Sequence, residues 1–463
     1  MSNFFKLIFS LVIVAIVLMV EGCNGHKTES KEKKPGAILE NQSITDDELM
    51  DKVQKQTFEY FWEGAEPNSG LARERIHLDS IYPSHDRNII TIGGSGFGLM
   101  AILVGIERGF ITREQALDRY EKIIAFLEKA DRFHGAWPHW LQPTGKTAPF
   151  SKKDDGGDLV ETSFLIQGLL TAQAYFNAPN SRELNLRDRI QRLWEDVEFD
   201  WYTKGENVLY WHWSPKYNWE MNFPVGGYNE ALIMYVLAAA SPTHPIKKEV
   251  YEEGWALNGE IKKDTSYYGL QTILNHYEHD DAPIGPLFWA HYSYLGLNPK
   301  GLSDQYADYW KLNQNHALIQ YKYAVDNPKK FKGYGEKCWG LTSSYSMKGY
   351  AGHRPENDLS VISPTAALSS MPYTPKESLA FLRFMYVEQD SLIGKFGPYD
   401  AFSLQEKWTL PRYLAIDQGP IPVMIENYRS GLLWNLFMTN SDVKNGLDRL
   451  GFTYSNTNDN TKN

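Results

Sequence analysis

Six segments of this chain are apolar on nearly every side, and each is followed by one that is apolar along a single stripe. The first kind covers residues 97–104, 159–176, 228–240, 287–295, 365–371 and 421–438, most of them opening after a Gly- or Pro-rich turn. The second kind covers 113–130, 185–197, 247–255, 306–325, 376–388 and 441–450. Within 185–197, Leu186, Ile190, Leu193, Trp194 and Val197 recur at the spacing of one α-helical face. A helix that is apolar all round must be covered all round, whereas a striped one can turn its polar flank to water. Inner and outer helices therefore alternate. A compact core usually stops growing near ~250–300 residues, and nothing in the composition divides residues 46–452 into two domains. The pattern predicts an all-α, (α/α)6 toroid over residues 46–454, closed because an open stack would leave its ends uncovered. An extra helix over 46–64 should pack at its start, a strand-like stretch at 208–213 should form a hairpin between repeats, and the polar residues 455–463 should form a disordered tail.

The N-terminus reads as an address. Lys6 precedes an apolar run over residues 7–20, shorter than the roughly 20 residues a spanning helix needs and of the length of a signal-peptide h-region. Val20-Glu21-Gly22-Cys23 resembles the lipobox of bacterial lipoproteins, with Glu21 an unusual neighbour for the cut. Residues 1–22 are thus expected to be removed, Cys23 to become the lipidated first residue, and residues 23–45 to serve as a polar tether. This places the domain in the periplasm or at the cell surface. Cys338 then has no disulfide partner and is expected to be a packed thiol. With 47 Lys+Arg against 57 Asp+Glu, the net charge of -10 repels phosphate backbones and anionic membranes. No nucleic-acid partner is expected, and contact with a membrane is expected only through the lipid.

In such a ring the loops entering the inner helices gather at one end. The second reads Asp154-Asp155-Gly156-Gly157-Asp158-Leu159-Val160-Glu161, the third Gly226-Gly227-Tyr228-Asn229-Glu230, and the sixth runs from Asp417 to Arg429 with Glu426 inside it. Aromatic residues crowd His134–Trp140, Trp211-His212-Trp213 and Trp289–Tyr292. Carboxyls converging on an aromatic-walled cavity suit a glycosidase: one delivers a proton to the glycosidic oxygen, another activates water or attacks carbon, and flat rings stack on sugar faces. Glu230 is the predicted general acid, with Asp158 or Glu161 positioning or activating water and Asp154 tuning their ionisation. Trp137, His139, Trp140, Trp213, Trp289, His291, Tyr399, Asp400, Glu426 and Arg429 are the predicted contacts to an oligo- or polysaccharide substrate. Each has a competing structural reading. Asp158-x-x-Glu161 resembles a capping box, Glu230 can compensate a helix dipole, Glu426 can brace the last inner helix in an ion pair, and Tyr399 and Asp400 stand in a turn. No H-x-x-x-H and no cysteine pair is present, so no metal and no cofactor are expected. Residues 93–98 lack the GxxxxGK[ST] pattern and are expected to form a turn with close backbone packing.

Several separated strings, 57–62, 69–72, 154–162, 226–231, 339–342, 364–367, 399–402 and 419–434, resemble the glucoamylase-like lipoproteins of Bacteroidetes and, more narrowly, glycoside hydrolase family 144 over residues 46–452. The resemblance implies an (α/α)6 fold, hydrolysis of β-1,2-linked glucan, and essential acidic positions at Asp154, Asp158, Glu161 and Glu230. Inversion at the anomeric carbon is expected by analogy with other toroidal glycosidases. The chain departs from the family at Ser343-Ser344-Tyr345, where an Ala-Ser-Asp-like continuation is implied. Two other classes fit less of the sequence. A glycan-binding lipoprotein feeding an importer needs the tryptophans but not the clustered carboxylates. A polysaccharide lyase needs a lining that neutralises uronic acids, and these loops are acidic.

Overall fold

The computed structural model describes residues 44–83, 86–276 and 284–455. The predicted signal peptide, Cys23, nearly all of the tether and residues 456–463 lie outside the described residues. The helices are α1 (Asp46–Trp62), α2 (Ile92–Glu107), α3 (Arg113–Leu127), α4 (Leu159–Tyr175), α5 (Ser181–Glu195), α6 (Leu232–Ala240), α7 (Tyr309–Asp326), α8 (Pro364–Leu368), α9 (Pro375–Arg383), α10 (Ala415–Gln418), α11 (Pro420–Arg429), α12 (Leu432–Phe437) and α13 (Ser441–Leu450). No helix among the described residues is long and apolar enough to cross a membrane.

The inner and outer sets sort as their apolar patterns require. From Ile92 to Gly105 every residue of α2 is buried, as is every residue of α4 from Leu159 to Ala172 and all of α6. Helix α5 buries Leu186, Ile190, Leu193 and Trp194 and leaves its charged flank in water. Around the ring α2 packs on α4, α4 on α6, α6 on the turns of 287–294, α8 on α11, and α11 back on α2. The turns of 287–294 join the segment after α8 through His291 Nε2 and Ser370 Oγ (3.0 Å) and through Tyr373 O–H, which donates to Ala290 O (3.0 Å). At the tightest contact, a Cβ on Gly96 would fall 2.1 Å from Phe164 O, and one on Gly168 would fall 2.2 Å from Gly96 O. The backbones of α2 and α4 touch, and an alanine at either position would cost about 1–3 kcal/mol in overpacking.

Five expectations are corrected. Residues 93–98 are not a turn but the opening of α2, where glycines serve helix contact. The fourth inner segment is two short 3₁₀ turns, Leu287–Ala290 and Tyr292–Tyr294, and the third outer segment is a π-helix, Val250–Trp255. The sixth inner segment breaks at Gly431 (φ 71°) into α11 and α12. Residues 208–213 do not pair with each other. Leu209–Tyr210 pairs with Pro224–Val225, the chain bends at Trp211, and His212–Trp213 pairs antiparallel with Gly157–Asp158.

Short strands lead directly into the inner helices. Ile90–Thr91 precedes α2, Gly157–Asp158 precedes α4, and Arg412–Leu414 precedes α10 and α11. Together with the hairpin Ser343–Ser346/Gly349–Gly352 they build the walls of one mouth.

Candidate active site

The mouth holds a cleft in two parts. An inner chamber of about 360 Å³ is lined by Glu74, Arg75, His139, Trp140, Phe150, Glu161, Trp211, Glu230, Phe288, Tyr292, Tyr345 and Tyr350, among others. An outer chamber of about 620 Å³ adds Asp154, His212, Met221, Phe223, Trp289 and Arg354. His139, Phe150, Trp211, Glu230, Phe288 and Ser343 line both, so the two are one continuous space. Exposed apolar side chains collect here: Phe150 (50%), Phe223 (51%) and Tyr350 (58%) stand in the cleft with open faces, as sugar-stacking rings must.

The acidic loop before α4 divides its carboxylates by direction. Asp155 turns away from the cavity, accepting from Ser214 Oγ (2.5 Å) and pairing with Lys216 (3.2 Å). Asp158 is the N-cap of α4: its Oδ1 accepts from Glu161 N–H (2.9 Å), while Oδ2 accepts from His139 Nδ1 (2.8 Å) and Trp211 Nε1–H (3.0 Å). Glu161 does not complete the capping box. It crosses to α2 instead, where its Oε2 accepts from Gly93 N–H (2.8 Å). A Cβ at Gly93 would lie 2.5 Å from that oxygen, so glycine is what lets the backbone approach. Asp154 lies 3.2 Å from His212 Nε2 and lines the outer chamber. Glu230 stands just before α6 and borders both chambers; its carbonyl accepts from Ser293 Oγ.

These positions set the charges. Burial pushes Glu161 up, His139 and the Gly93 N–H oppose it, and Asp158 reinforces it, leaving the carboxyl raised to about 8. Burial would push His139 down, but Glu161, the hydrogen bond to Asp158 and the charges of Asp158 and Asp154 raise it to about 10. Burial would also raise Asp158. The His139 bond and charge, with His212 and the Glu161 N–H, hold it instead below the usual carboxylate range. At neutral pH the cluster is an Asp158 carboxylate, a His139 imidazolium and a protonated Glu161. Behind the chamber wall, Asp400 and Asp417 form a second carboxyl pair. Burial raises both, Asp417 well above the ordinary value and Asp400 to about 6, and the negative charge of Asp400 adds to the rise at Asp417. Two carboxyls this close hold a proton between them.

Of the predicted site residues, Asp154, Glu161, Glu230, His139, Trp140 and Trp289 line the cleft. Asp158 and Asp400 support it from behind; Asp400 Oδ2 accepts from Tyr345 N–H (2.8 Å). The others are elsewhere. Trp137 is a core residue, with Arg132 over its ring at 4.2 Å, and His291 is buried on Ser370. Trp213 follows His212 on a strand, so it faces the opposite side, against His134 and Trp201. Tyr399 packs on Tyr413. Glu426 sits at the far end of the ring in a bidentate pair with Arg108 (2.7 and 2.8 Å), and Arg429 binds Asp51 (2.5 Å) and Gln54 (2.7 Å) rather than Glu426.

Sequence reasoning missed Glu74 and Arg75, at the start of the strand Arg75–His77, Phe150, four residues before Asp154 in the loop that enters α4, and Tyr345 and Tyr350, which pair across the hairpin. It also chose Trp213 over Trp211 in the same aromatic string. At the departure from the family pattern, Tyr345 O–H meets His77 Nε2 (2.8 Å), tying the hairpin to the strand Arg75–His77, which pairs with Arg412–Leu414.

Donor atoms of His139, Asp154 and Asp158 come within 4.8 Å of one another. The set fits a cation poorly, because both oxygens of Asp158 already accept from N–H groups.

A family model described as a glucoamylase (Glycoamylase) matches residues 222–441. An endo-β-1,2-glucanase from Chitinophaga pinensis, solved with sophorotriose and glucose, is 60% identical, with 89% of this chain and 99% of that one covered at a TM-score of 0.87. The chain belongs to glycoside hydrolase family 144. Another relative of this family 144 chain, an exo-β-1,2-glucooligosaccharide sophorohydrolase (non-reducing end) from Parabacteroides distasonis, is 46% identical over 426 residues; the match covers 88% of this chain and 58% of the relative's length. An endo-β-1,2-glucanase from Talaromyces funiculosus, at 10% identity, a TM-score of 0.62 and coverage of 88% and 91%, shares the fold with the family 144 chain.

Proposed function

We propose that this chain hydrolyses β-1,2-linked glucan in the two-part cleft. The observation that carries this reading is that Glu161, at the start of α4, and Glu230, at the entry to α6, face one cavity walled by Trp140, Phe150, Trp211 and Tyr350. The names of the relatives from Chitinophaga and Parabacteroides supply the linkage.

Glu230 protonates the glycosidic oxygen, since it borders both chambers and thus the boundary at which a chain lying across them would be cut. Asp154, which lines the outer chamber together with Glu230, activates the water. The Asp158–His139 pair fixes the charge around Glu161, which keeps its proton and donates it in a hydrogen bond to a sugar hydroxyl. The raised pKa of Glu161 supports a second assignment, in which Glu161 is the acid.

An aryl β-glycoside whose leaving group needs no proton separates the two assignments. Under the first, Glu230→Gln loses activity on glucan but keeps it on the aryl substrate, and Glu161→Gln is slowed on both; the reverse pattern establishes the second. Release of no reducing ends from β-1,2-glucan by the intact protein would overturn the reading altogether.

The enzyme is anchored to a bacterial membrane by lipid on Cys23. Partition of the mature protein into a detergent phase, and its shift to the aqueous phase in Cys23→Ala, tests this.

A further inference from the structure

Of the fourteen tryptophans, one presents an exposed indole, and it lies outside the cleft. Trp201 is 40% exposed, and it alone among them stands that far in water. It belongs to a 3₁₀ turn, Trp201–Thr203, that the structure holds rigidly. Tyr202, next in sequence, is fully buried and donates its hydroxyl to Phe133 O (2.7 Å), and Asp200 Oδ1 accepts from Trp201 N–H (3.0 Å). His134 lies flat against one side of the indole, with ring centres 3.7 Å apart and planes 14° off parallel, and Trp213 and Trp219 brace it edgewise and obliquely. A ring set this firmly loses little freedom when something stacks on it.

The same indole forms one wall of a hollow of about 450 Å³, bordered by Glu198, Asp200, Lys204, Trp219 and His244. Its polar groups are pre-oriented: Glu198 faces His134 (2.9 Å), Asp200 faces His244 (3.0 Å), and Lys204 reaches Asn222 (3.1 Å). A flat apolar face ringed by paired donors and acceptors matches a pyranose, which offers an apolar C–H face and equatorial hydroxyls at its rim. It does not match a phosphate or a polyanion, since two carboxylates line it.

The hollow is also continuous with the cleft through the chain. His212 lines the cleft while Trp213 braces Trp201, and in the following loop Met221 and Phe223 line the cleft while Trp219 borders the hollow. A single segment, 211–223, is thus the partition between the two.

We propose that the Trp201 hollow is a second, non-catalytic glucan-binding site that holds a distant part of the same polymer while the cleft works on it. The proposal rests on the β-1,2-glucan reading of the cleft, and its test keeps the two apart. Catalytic efficiency is measured on linear β-1,2-glucan and on a short β-1,2-glucooligosaccharide for the intact protein, Trp201→Ala and Trp201→Tyr. Retardation in gels containing β-1,2-glucan is measured for Glu230→Gln with and without Trp201→Ala. The expected result is a loss of about three- to tenfold on the polymer for Trp201→Ala, an unchanged rate on the oligosaccharide, partial recovery in Trp201→Tyr, and weaker retardation of the double variant. Equal rates for Trp201→Ala on both substrates, or slowing on both by the same factor, would overturn the proposal. Failure of the intact protein to cleave the oligosaccharide would count against the cleft reading instead, while the gel comparison would still decide for or against the hollow.

Discussion

Glu161 and Glu426 are both buried glutamates on inner helices, one at each end of the ring, and the structure treats them oppositely. At the end away from the cleft, Glu426 receives both guanidinium arms of Arg108, with Gln54 and Ser430 filling its remaining capacity, and these outweigh burial to hold it below the ordinary carboxylate value. At the open end, Glu161 meets a histidine whose charge Asp158 already balances, and burial keeps it protonated. The comparison teaches that placing a carboxyl inside a helical ring says nothing of its role; the geometry of the nearest cation does. A bidentate arginine fixes a charge for stability, whereas a shared imidazolium leaves a proton available.

The comparison is most severely tested by Glu230→Gln. It should lower kcat on β-1,2-glucan by about 10³-fold with the melting temperature unchanged, whereas no comparable loss should follow any change at Glu426. Next, Asp158→Asn should cost about 10²-fold in kcat/KM and narrow the pH range of activity, because His139 loses the ionised partner that keeps it charged. At the Glu426 end the effect should move to stability. Glu426→Gln should cost about 2 kcal/mol in denaturant unfolding, less than a wholly buried broken pair because Arg108 is 23% exposed, with the hydrolysis rate intact.

The smallest effect carries the sharpest contrast of sign. Glu161 binds its proton more tightly in the folded chain than an ordinary glutamate, near 4.5, so the stability it contributes is complete below that pH and is lost as pH rises toward about 8. For Glu426, whose pKa is lowered, the contribution is present above the unfolded value and is lost as pH falls. The melting temperature of Glu161→Gln relative to the parent should therefore climb with pH between 5 and 8, whereas that of Glu426→Gln should stay level over that range and climb only as pH falls below about 4.5. Parallel trends would erase the distinction drawn between the two ends.

The ring was legible because burial on all sides leaves a mark on every residue of a helix, as in α2, α4 and α6. Breaks in that pattern were not. Leu287–Leu295 is apolar but for His291 and Ser293 yet forms only 3₁₀ turns, and the N–H groups of Leu287 and Phe288 donate to Leu341 O and Thr342 Oγ1 on a neighbouring segment, a tertiary arrangement that apolar periodicity does not encode. The double glycine before Asp158 stood out by its oddity, and its cause lies far away in sequence: a Cβ on Gly157 would collide with the hydroxyl of Tyr202, and one on Gly156 with the carbonyl of Trp213. The carboxylates were found because they stand where inner helices begin. Their support was not found, because His139, Trp211 and Gly93 reach them from three other segments. Glu426 and Arg429 were misplaced for the opposite reason: a loop-entering helix also has a far end, and residues one or two turns along it belong there.

Asp158 gathers its hydrogen bonds from the first turn of its own helix, from the loop bearing His139, and from the bend at Trp211. Those three stretches lie within residues 139–211, but the cleft they support also needs Arg75, Tyr345 and Leu414, which come from the two ends of the domain and meet only when the circle closes. Chemistry is consequently the last property this polypeptide acquires as it folds and the first it loses as it comes apart, so catalytic turnover is a stricter gauge of an intact molecule than its helical content.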